Sequence, residues 1–323
     1  MNCMRKLLLI VSILAFLCSC EDISTDQPDD IDVIEKARRM QAFVQNISAY
    51  ARKTKPGFIV IPQNGAELAF YEANPNNVIL TSYISAIDGI GNEELFYNGS
   101  LDVDDRRLGM LRTLKNHVKK IMVADYVSED NNISNSIQRS RTEGFIAFPR
   151  SSDNYDYGYI PTTTELGISV NTKDINSLAD AENYLYFINP DNYTKQQMLD
   201  RIATTNYDVI LIDLFPKTDN FTSSDMARLK TKNNGKKRLV IAYMNIGAAE
   251  NFRYYWQGWR IGSPSWIKKG YPGYPNEYYV EYWHPQWQNI IFGNNSSYLK
   301  KIIDAGFDGV YLDNVEAYYY LSN

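Results

Sequence analysis

Carboxylate side chains at the ends of apolar segments are the residues in this sequence best suited to chemistry. The clearest case is GFDGVYLDNVEAY (Gly306–Tyr318), in which a short apolar strand ends at Asp313. A buried strand with an acid at its carboxyl end is typical of the way a β/α barrel presents catalytic side chains. An Asp at such a position also commonly caps the following helix. Evidence from the rest of the sequence is needed to choose between a catalytic and a capping role for Asp313.

The residue types that other hydrolytic mechanisms need are scarce. The sequence has 2 histidines, His117 and His284, and no GxSxG motif, which disfavours a Ser-His-Asp hydrolase and a histidine-rich zinc site. Carboxylates are left as the main acid–base groups, and we expect no metal and no cofactor. The net charge of −5 disfavours a nucleic-acid partner, which would need a basic face.

The amino terminus is predicted to be a targeting segment. Residues 1–19 contain the apolar run LLLIVSILAFL after a basic start, and this run is short for a membrane-spanning helix. Leu17–Cys20 resembles a bacterial lipobox, which predicts lipidation at Cys20. A retained anchor helix is the alternative. The acidic tether 20–32 resembles the export signal of Bacteroidota surface lipoproteins, so we expect lipid anchoring in the bacterial envelope, at the outer membrane or cell surface.

From residue 33 onward, apolar strands alternate with helices. The predicted strands are 58–61, 83–90, 120–127, 144–149, 184–188, 208–214, 238–246 and 310–312, and the predicted helices are 34–53, 104–118, 133–142, 194–204, 223–232 and 286–305. Repeated β-α units imply a parallel sheet, and eight of them indicate an α/β fold of the (β/α)8 TIM-barrel type. We therefore expect a single domain over 33–323 with an irregular connection at 151–182. A doubly wound open sheet is the alternative, but no Gly-rich phosphate loop follows a strand.

Three motifs resemble one enzyme family. VIAYMNIGAAENFRYYW (Val240–Trp256), VEYWHPQWQ (Val280–Gln288) and GFDGVYLDNVEAY are similar to the endo-α-1,4-polygalactosaminidases, glycoside hydrolase family 114. Within that family, they more closely resemble the bacterial and archaeal branch once loosely labelled as related to cysteinyl-tRNA synthetase. The resemblance implies a TIM barrel that cleaves α-linked galactosamine-type polysaccharide in endo fashion. A synthetase-like enzyme is disfavoured because nucleotide-binding and zinc-binding motifs are missing.

The order of the motifs differs from that of the family. There, the GxDGVYLD strand lies in mid-barrel and is followed by segments like RRMQAFVQNISAYARK, FIVIPQNG and DGIGxEELFYNG, which here come first. The resemblance therefore implies a circular permutation in which family strands 5–8 precede strands 1–4. The first and last strands of a closed barrel are neighbours, so the connection 151–182 can join them. The alternative is a half barrel completed by another chain, although eight strands can be counted.

The family pattern assigns the catalytic pair to Asp313 and Glu93. Asp313 would be the nucleophile or base and Glu93 the general acid, since glycosidases commonly use two carboxyl groups across the scissile bond. Glu94 is the alternative to Glu93, and a plain surface acid is the alternative role for Glu93 itself.

Further residues are expected to bind a polysaccharide, with acidic groups favouring a cationic amino-sugar polymer. These are Gln63, Asn64, Asp88, Tyr126, Asn245, Glu250, Arg253, Trp256, Tyr282, Trp283 and Glu316. The alternatives are a polar loop network for the polar residues near the third family strand, and an insertion packed on itself for the aromatic ones. The competing function is a catalytically inactive barrel that binds a glycan or envelope polymer.

Overall fold

A computed structural model describes residues 32–151, 159–188, 193–215 and 221–322. The predicted signal peptide, Cys20 and nearly all of the tether lie outside the described residues. Within the described part of the chain, no helix combines the length and apolar character needed to cross a membrane.

The described chain alternates helices and strands. The helices are α1 (Val33–Thr54), α2 (Thr81–Ala86), α3 (Asp105–Asn116), α4 (Asp130–Glu143), α5 (Lys195–Ala203), α6 (Ser223–Leu229), α7 (Pro285–Ile291), α8 (Tyr298–Ala305) and α9 (Ala317–Tyr320). The strands are β1 (Ile59–Pro62), β2 (Gly89–Asn98), β3 (Ser100–Leu101), β4 (Lys120–Tyr126), β5 (Ile146–Ala147), β6 (Tyr184–Tyr186), β7 (Val209–Asp213), β8 (Leu239–Asn245), β9 (Ala248–Glu250), β10 (Ile267–Tyr271), β11 (Tyr274–Val280) and β12 (Gly309–Asp313).

Five strands form one parallel sheet in the spatial order β1-β12-β8-β7-β6. Asp313 at the end of β12 pairs in register with Asn245 at the end of β8, and Asp213 of β7 pairs with Tyr243 of β8. The strands read as continuous buried apolar runs, as expected for a parallel sheet covered on both faces. Their polar carboxyl ends therefore lie along one edge.

A second parallel ladder joins the first beyond β1. It contains β2, β4 and β5, with β3 antiparallel to the end of β2. Gln63 forms a parallel bridge with Gly91, and the amide of Asn64 donates to the carbonyl of Gly91 at 2.8 Å. The parallel strands thus follow one another as β5-β4-β2-β1-β12-β8-β7-β6, with the last strand of the chain beside the first.

Side chains, rather than backbone pairing, span the space between β5 and β6. In the described residues these two strands do not pair, so the ladder is compatible with a barrel without closing one. The rings of Phe148 and Tyr184 lie 5.9 Å apart across this gap. The guanidinium of Arg150 lies 4.4 Å from the ring centroid of Tyr186.

Tyr311 on β12 indicates that the ladder curves around a shared interior. A methyl group added at Gly91 of β2 would lie 1.8 Å from the Tyr311 hydroxyl oxygen. The same ring meets Tyr186 of β6 edge to face at 5.9 Å. One side chain therefore touches strands that lie two places away on one side and three places away on the other.

Two predicted elements were wrong. The strand predicted over 83–90 is instead α2 followed by β2, because Tyr83, Ile84 and Ile87 repeat at helical spacing. The helix predicted over 286–305 is divided into α7 and α8 near Gly293, whose φ of 99° a helix cannot accommodate.

The aromatic insertion after β8 forms its own small sheet. β9, β11 and β10 pair antiparallel, and Glu277 of β11 stands directly opposite Glu250 of β9. The insertion therefore adds a hairpin beside the carboxyl end of β8, where it can contribute side chains to the same edge as Asp313.

Replacing Gly91 with Ala tests the curvature. We expect the added methyl group to collide with Tyr311 and to lower the free energy of unfolding by about 1–3 kcal/mol. Gly109→Ala within α3 is the matched control, because a methyl group there meets nothing within 4 Å and should stabilise the helix by about 0.5–1 kcal/mol. Urea titrations of both variants measure the difference. Equal stability of the two variants would contradict the shared interior.

Candidate active site

A pocket of about 90 Å³ opens at the carboxyl ends of the parallel strands. The ends of β12 and β4, the loop after β1, the body of β2 and the hairpin β10–β11 each contribute side chains to it. Its lining residues are Gln63, Glu93, Tyr126, Arg150, Tyr186, Ile188, Tyr243, Tyr271, Tyr274, Glu277, Asp313 and Asn314.

Asp313 enters this pocket from the end of β12. Its Oδ2 accepts a hydrogen bond from the Tyr243 hydroxyl at 2.5 Å, and its Oδ1 accepts from the Asn314 amide at 2.7 Å. Burial, followed by the charge of Glu93, raises the pKa of Asp313 to about 7. The carboxyl group can therefore gain or lose a proton near neutral pH.

Glu93 enters the same pocket from β2. Tyr126 donates its hydroxyl to Glu93 Oε1, the Asn64 side-chain amide donates to Oε2 at 3.3 Å, and Arg150 Nη1 lies 3.8 Å from Oε1. The Asn64 side-chain oxygen also accepts from the Glu93 amide at 3.0 Å. Glu93 thus faces three donors suited to a carboxylate, and Asn64 fixes both its backbone and its side chain.

The predicted pair therefore lies in one pocket, although 220 positions separate Glu93 and Asp313 in the sequence. Gln63 and Tyr126 line the same pocket, as expected for substrate-binding positions. Glu94, the alternative to Glu93, is not among the lining residues and has a positive φ of 55°.

Asn245, Glu250 and Arg253 form a buried network behind the pocket. Arg253 contacts both carboxylate oxygens of Glu250, at 2.6 and 3.1 Å, and also binds Asp213. Asn245 donates to Glu277 at 3.3 Å and accepts from the Ala248 amide. Because these three residues are buried and do not line the pocket, the prediction that they touch sugar is corrected to a supporting role.

Tyr282 was predicted wrongly, and Trp283 and Trp256 are not among the residues that line the pocket. Tyr282 is fully buried, donates its hydroxyl to the Lys36 carbonyl at 2.6 Å and stacks on Phe43 of α1. Trp283 lies under the guanidinium of Arg39, also on α1. Trp256 stacks on Tyr278 at 5.2 Å within the insertion. These aromatic rings pack the hairpin and α1 and are not part of the pocket lining.

Asp88 lies at the wrong end of its strand. It immediately precedes β2, accepts the Val60 amide at 2.8 Å and pairs with Arg52 at 2.9 Å. The prediction that it lines the pocket depended on the misplaced strand over 83–90. Asp88 instead ties the amino ends of β1 and β2 to α1.

Glu316 faces a neighbouring cleft of about 590 Å³ rather than the pocket. Glu67, Arg107 and Tyr318 line the cleft with it. Burial, followed by the charge of Glu67, raises the pKa of Glu316 to about 7. Arg107 also donates to the backbone carbonyl of Glu93 at 2.8 Å, so the cleft and the pocket share a wall.

Glu277 is the pocket carboxyl that the sequence did not reveal. It is 6% exposed, and burial, followed by the charges of Glu250 and Asp313, raises its pKa to about 9. It lies on the hairpin rather than after a barrel strand, so strand-end reasoning could not find it. Arg150 was also missed, although it follows the predicted strand 144–149 and the strand-end rule could have identified it.

The pocket offers carboxyl chemistry and no cluster of metal ligands. Among the described residues, no group of three or more His, Cys, Asp or Glu is arranged to hold a metal ion. Asp313 and Glu93 line one cavity. The pKa of Asp313 is raised, and Glu93 faces hydrogen-bond donors and a guanidinium. Glycoside hydrolysis requires two carboxyl groups in such different surroundings.

Comparison with known families agrees with that chemistry. Residues 177–323 match the model of glycoside-hydrolase family GH114. The matched segment includes Asp313 and Glu277 and excludes Glu93. It supports a glycoside hydrolase family for the carboxyl-terminal part of the chain.

Relatives match over part of their length. The protein MJ1477 of Methanocaldococcus jannaschii is 38% identical over 159 residues, which cover 46% of this chain and 44% of that protein. A Deinococcus radiodurans protein is 37% identical over 124 residues, covering 38% of each chain. A Thermotoga maritima protein is 42% identical over 81 residues, covering 25% of this chain and 24% of the relative. The chain thus spans less than half the length of these relatives.

One solved structure aligns weakly with this chain. The chitinase from Bacteroides thetaiotaomicron aligns with 80% of this chain and 90% of its own at a TM-score of 0.41 and 12% identity. That likeness is too weak to support a conclusion about either fold or activity.

Glu277→Gln tests the electrostatics of the pocket through stability. The pKa of Glu277 rises from 4.5, its ordinary value, to about 9 in the fold, so between these pH values the folded protein binds the extra proton. The contribution of Glu277 to stability is complete below pH 4.5 and falls as pH rises, by up to about 1.4 kcal/mol per pH unit.

We therefore expect the variant to gain stability over the native protein between about pH 5 and about pH 8, measured by urea unfolding. Glu281→Gln is the control, because Glu281 pairs with Lys268 at a half-exposed position. Native and Glu277→Gln curves that run parallel with pH would contradict the assignment.

Proposed function

We propose that this protein is an endo-acting glycoside hydrolase that cleaves α-linked galactosamine-type polysaccharide with Asp313 and Glu93. The observation that carries the proposal is the meeting of these two carboxyl groups in one pocket. The GH114 match over the segment that contains Asp313 supports it. The motif resemblance supports the choice of Glu93 and of the polymer.

The reaction needs one protonated and one ionised carboxyl group. The protonated group donates to the glycosidic oxygen as the bond from that oxygen to the anomeric carbon breaks. The ionised group attacks the anomeric carbon or removes a proton from the attacking water. Water supplies the new hydroxyl group, and no oxidant or metal enters the balance.

The contacts favour a division of roles between Asp313 and Glu93 opposite to the one expected from the sequence. Asp313, whose pKa is raised to about 7, keeps its proton below about pH 7 and suits the general acid. Glu93 faces Arg150, Tyr126 and Asn64, which suit a charged nucleophile or base.

The surroundings of the pocket support a polymeric and cationic substrate. The cleft of about 590 Å³ that shares the Arg107 wall gives room for further sugar units on one side of the scissile bond. The excess of carboxyl groups favours ammonium-bearing sugars. These features support internal cleavage of an amino-sugar chain.

A permuted barrel explains how the proposed function maps onto this chain. The family match begins at residue 177, near the end of the irregular connection, where a permuted sequence would return to family order. The pairing of β1 with β12 and the contacts between β5 and β6 support a (β/α)8 barrel whose family strands 5–8 come first. The same barrel without turnover would act as a glycan-binding protein.

Asp313→Asn and Glu93→Gln test the pair. Each should lower kcat/KM on de-N-acetylated α-1,4-galactosamine polymer by about 10²–10⁴-fold, measured by reducing-end release. Glu94→Gln, the same chemical change one position away, should stay active.

On an aryl glycoside with a good leaving group, the variant that lacks the acid should recover activity, and we expect this for Asp313→Asn. Full activity of either variant on the polymer would refute the site. Native protein that binds this polymer without cleaving it would favour the binding function.

The lipobox supports a lipid-anchored enzyme in the bacterial envelope. Cys20→Ser should move the protein from the membrane fraction to the soluble fraction of cells, because the acyl chains would have no attachment point. Immunoblots of the two fractions measure this. An equal membrane share for native protein and variant would rule out Cys20 as the anchor.

A further inference from the structure

A row of tyrosine rings leads from the pocket to the neighbouring cleft. Tyr271, which lines the pocket, stacks on the ring of Tyr279 at 4.6 Å, and Tyr320, which lines the cleft, stacks on that ring at 5.5 Å. Tyr274 meets Tyr271 edge to face at the pocket end. Tyr319 meets Tyr320 edge to face at the cleft end. Because Tyr279 is 1% exposed, one buried ring holds both ends of the row in place.

The two rings at the cleft end are open to solvent. Tyr319 is 55% exposed and Tyr320 is 42% exposed. A single exposed ring would need no explanation, but these two lie side by side in a cleft of about 590 Å³, which is the size of a ligand site. A tyrosine ring has a flat apolar body and a polar tip. The two rings are therefore available to a ligand that has a flat apolar face.

Polar side chains line the same cleft. Arg106 and Arg107 carry N–H donors, and Glu67 and Glu316 carry carboxyl oxygens. A sugar unit has an apolar face and a rim of hydroxyl groups, so it can stack on a ring while it bonds to such donors and acceptors. A purely apolar ligand would displace water from these groups without replacing its hydrogen bonds. The composition of the cleft thus favours a sugar over an apolar molecule.

The cleft adjoins the pocket along the chain and in space. Asn314 lines the pocket, and Glu316, two residues later, lines the cleft. Arg107 lines the cleft and donates to the backbone carbonyl of Glu93 at 2.8 Å. A polymer held beside Glu93 therefore has the cleft as the adjoining surface for its neighbouring units.

We propose that Tyr319 and Tyr320 form a sugar-stacking subsite in this cleft, occupied by units of the polysaccharide that lie beyond the bond being cleaved. The assignment rests on the proposed glycosidase function, and the occupant is the same polymer chain that enters the pocket. An oligosaccharide long enough to reach both cavities gains the stacking contacts, whereas a short one that fills only the pocket does not. The preference for internal bonds of a long chain then follows from these contacts.

Calorimetric titration with an α-1,4-linked galactosamine disaccharide and octasaccharide tests the subsite. The titrations use the full chain carrying Glu93→Gln, so that the octasaccharide stays intact. This parent protein should bind the octasaccharide more tightly than the disaccharide. Adding Tyr319→Ala should lower the ratio of the two affinities by about threefold to tenfold, because one stacking contact is lost. Tyr159→Ala is the control, since Tyr159 is 52% exposed and is not among the residues that line the cleft or the pocket.

Two further variants separate stacking from a structural role. Tyr319→Phe keeps the ring and removes only the hydroxyl group, so it should restore the affinity ratio of the parent protein. Tyr320→Ala removes the neighbouring ring and should lower the ratio as Tyr319→Ala does, which provides a second test if Tyr319→Ala does not fold. Urea unfolding of each variant measures whether the fold is retained.

The possible results distinguish the subsite from the glycosidase proposal. No binding of either oligosaccharide, equal binding of both by the parent protein, or an unchanged ratio in folded Tyr319→Ala would overturn the subsite. Hydrolysis of the polymer by the native protein would still support the glycosidase in each of these cases. A preference for the octasaccharide that Tyr319→Ala abolishes, without hydrolysis by the native protein, would support the subsite and refute the glycosidase.

Discussion

Burial of several carboxyl groups in one small pocket is the constraint on which the site depends. Glu93, Asp313 and Glu277 share one small pocket, and the buried guanidiniums nearby, Arg150 and Arg253, do not neutralise them all. Arg253 forms ion pairs with Asp213 and Glu250 behind the pocket. Burial, followed by the charge of neighbouring carboxyl groups, keeps protons on Asp313 and Glu277 at pH values where free carboxyl groups are ionised. The raised pKa values of Asp313 and Glu277 both follow from this shared burial.

The parallel ladder makes that crowding possible. Because β12 lies between β1 and β8, acids from the last strand of the chain meet the loop that follows the first. Tyr311 beneath them reaches Gly91 and Tyr186, so the strands converge below the pocket rather than lying flat. The hairpin β10–β11 then covers one side and brings Glu277 to the acids. Packing of the apolar strands thus holds the charged groups together against their repulsion.

Strand-end reasoning from the sequence pointed to two of the residues that line the pocket. Asp313 and Tyr126 end apolar strands and line the pocket, as predicted, because the carboxyl ends of parallel strands share an edge. The prediction for Asp88 was wrong because a segment with helical spacing was taken for a strand. Asp88 therefore lies at the amino end of β2, on the edge of the sheet opposite the pocket. Glu277 could not be predicted, since its place depends on how the insertion folds back. The prediction for Tyr282 was wrong because composition does not distinguish rings that pack the protein from rings that bind sugar.

The most direct measurement is a crystal structure of the Asp313→Asn variant with an amino-sugar oligosaccharide. We predict one glycosidic oxygen bracketed by the side chains at positions 313 and 93, with their carboxyl-type carbons about 5–9.5 Å apart. An oligosaccharide bound away from this pocket, or side chains at positions 313 and 93 that do not flank a single glycosidic bond, would contradict it.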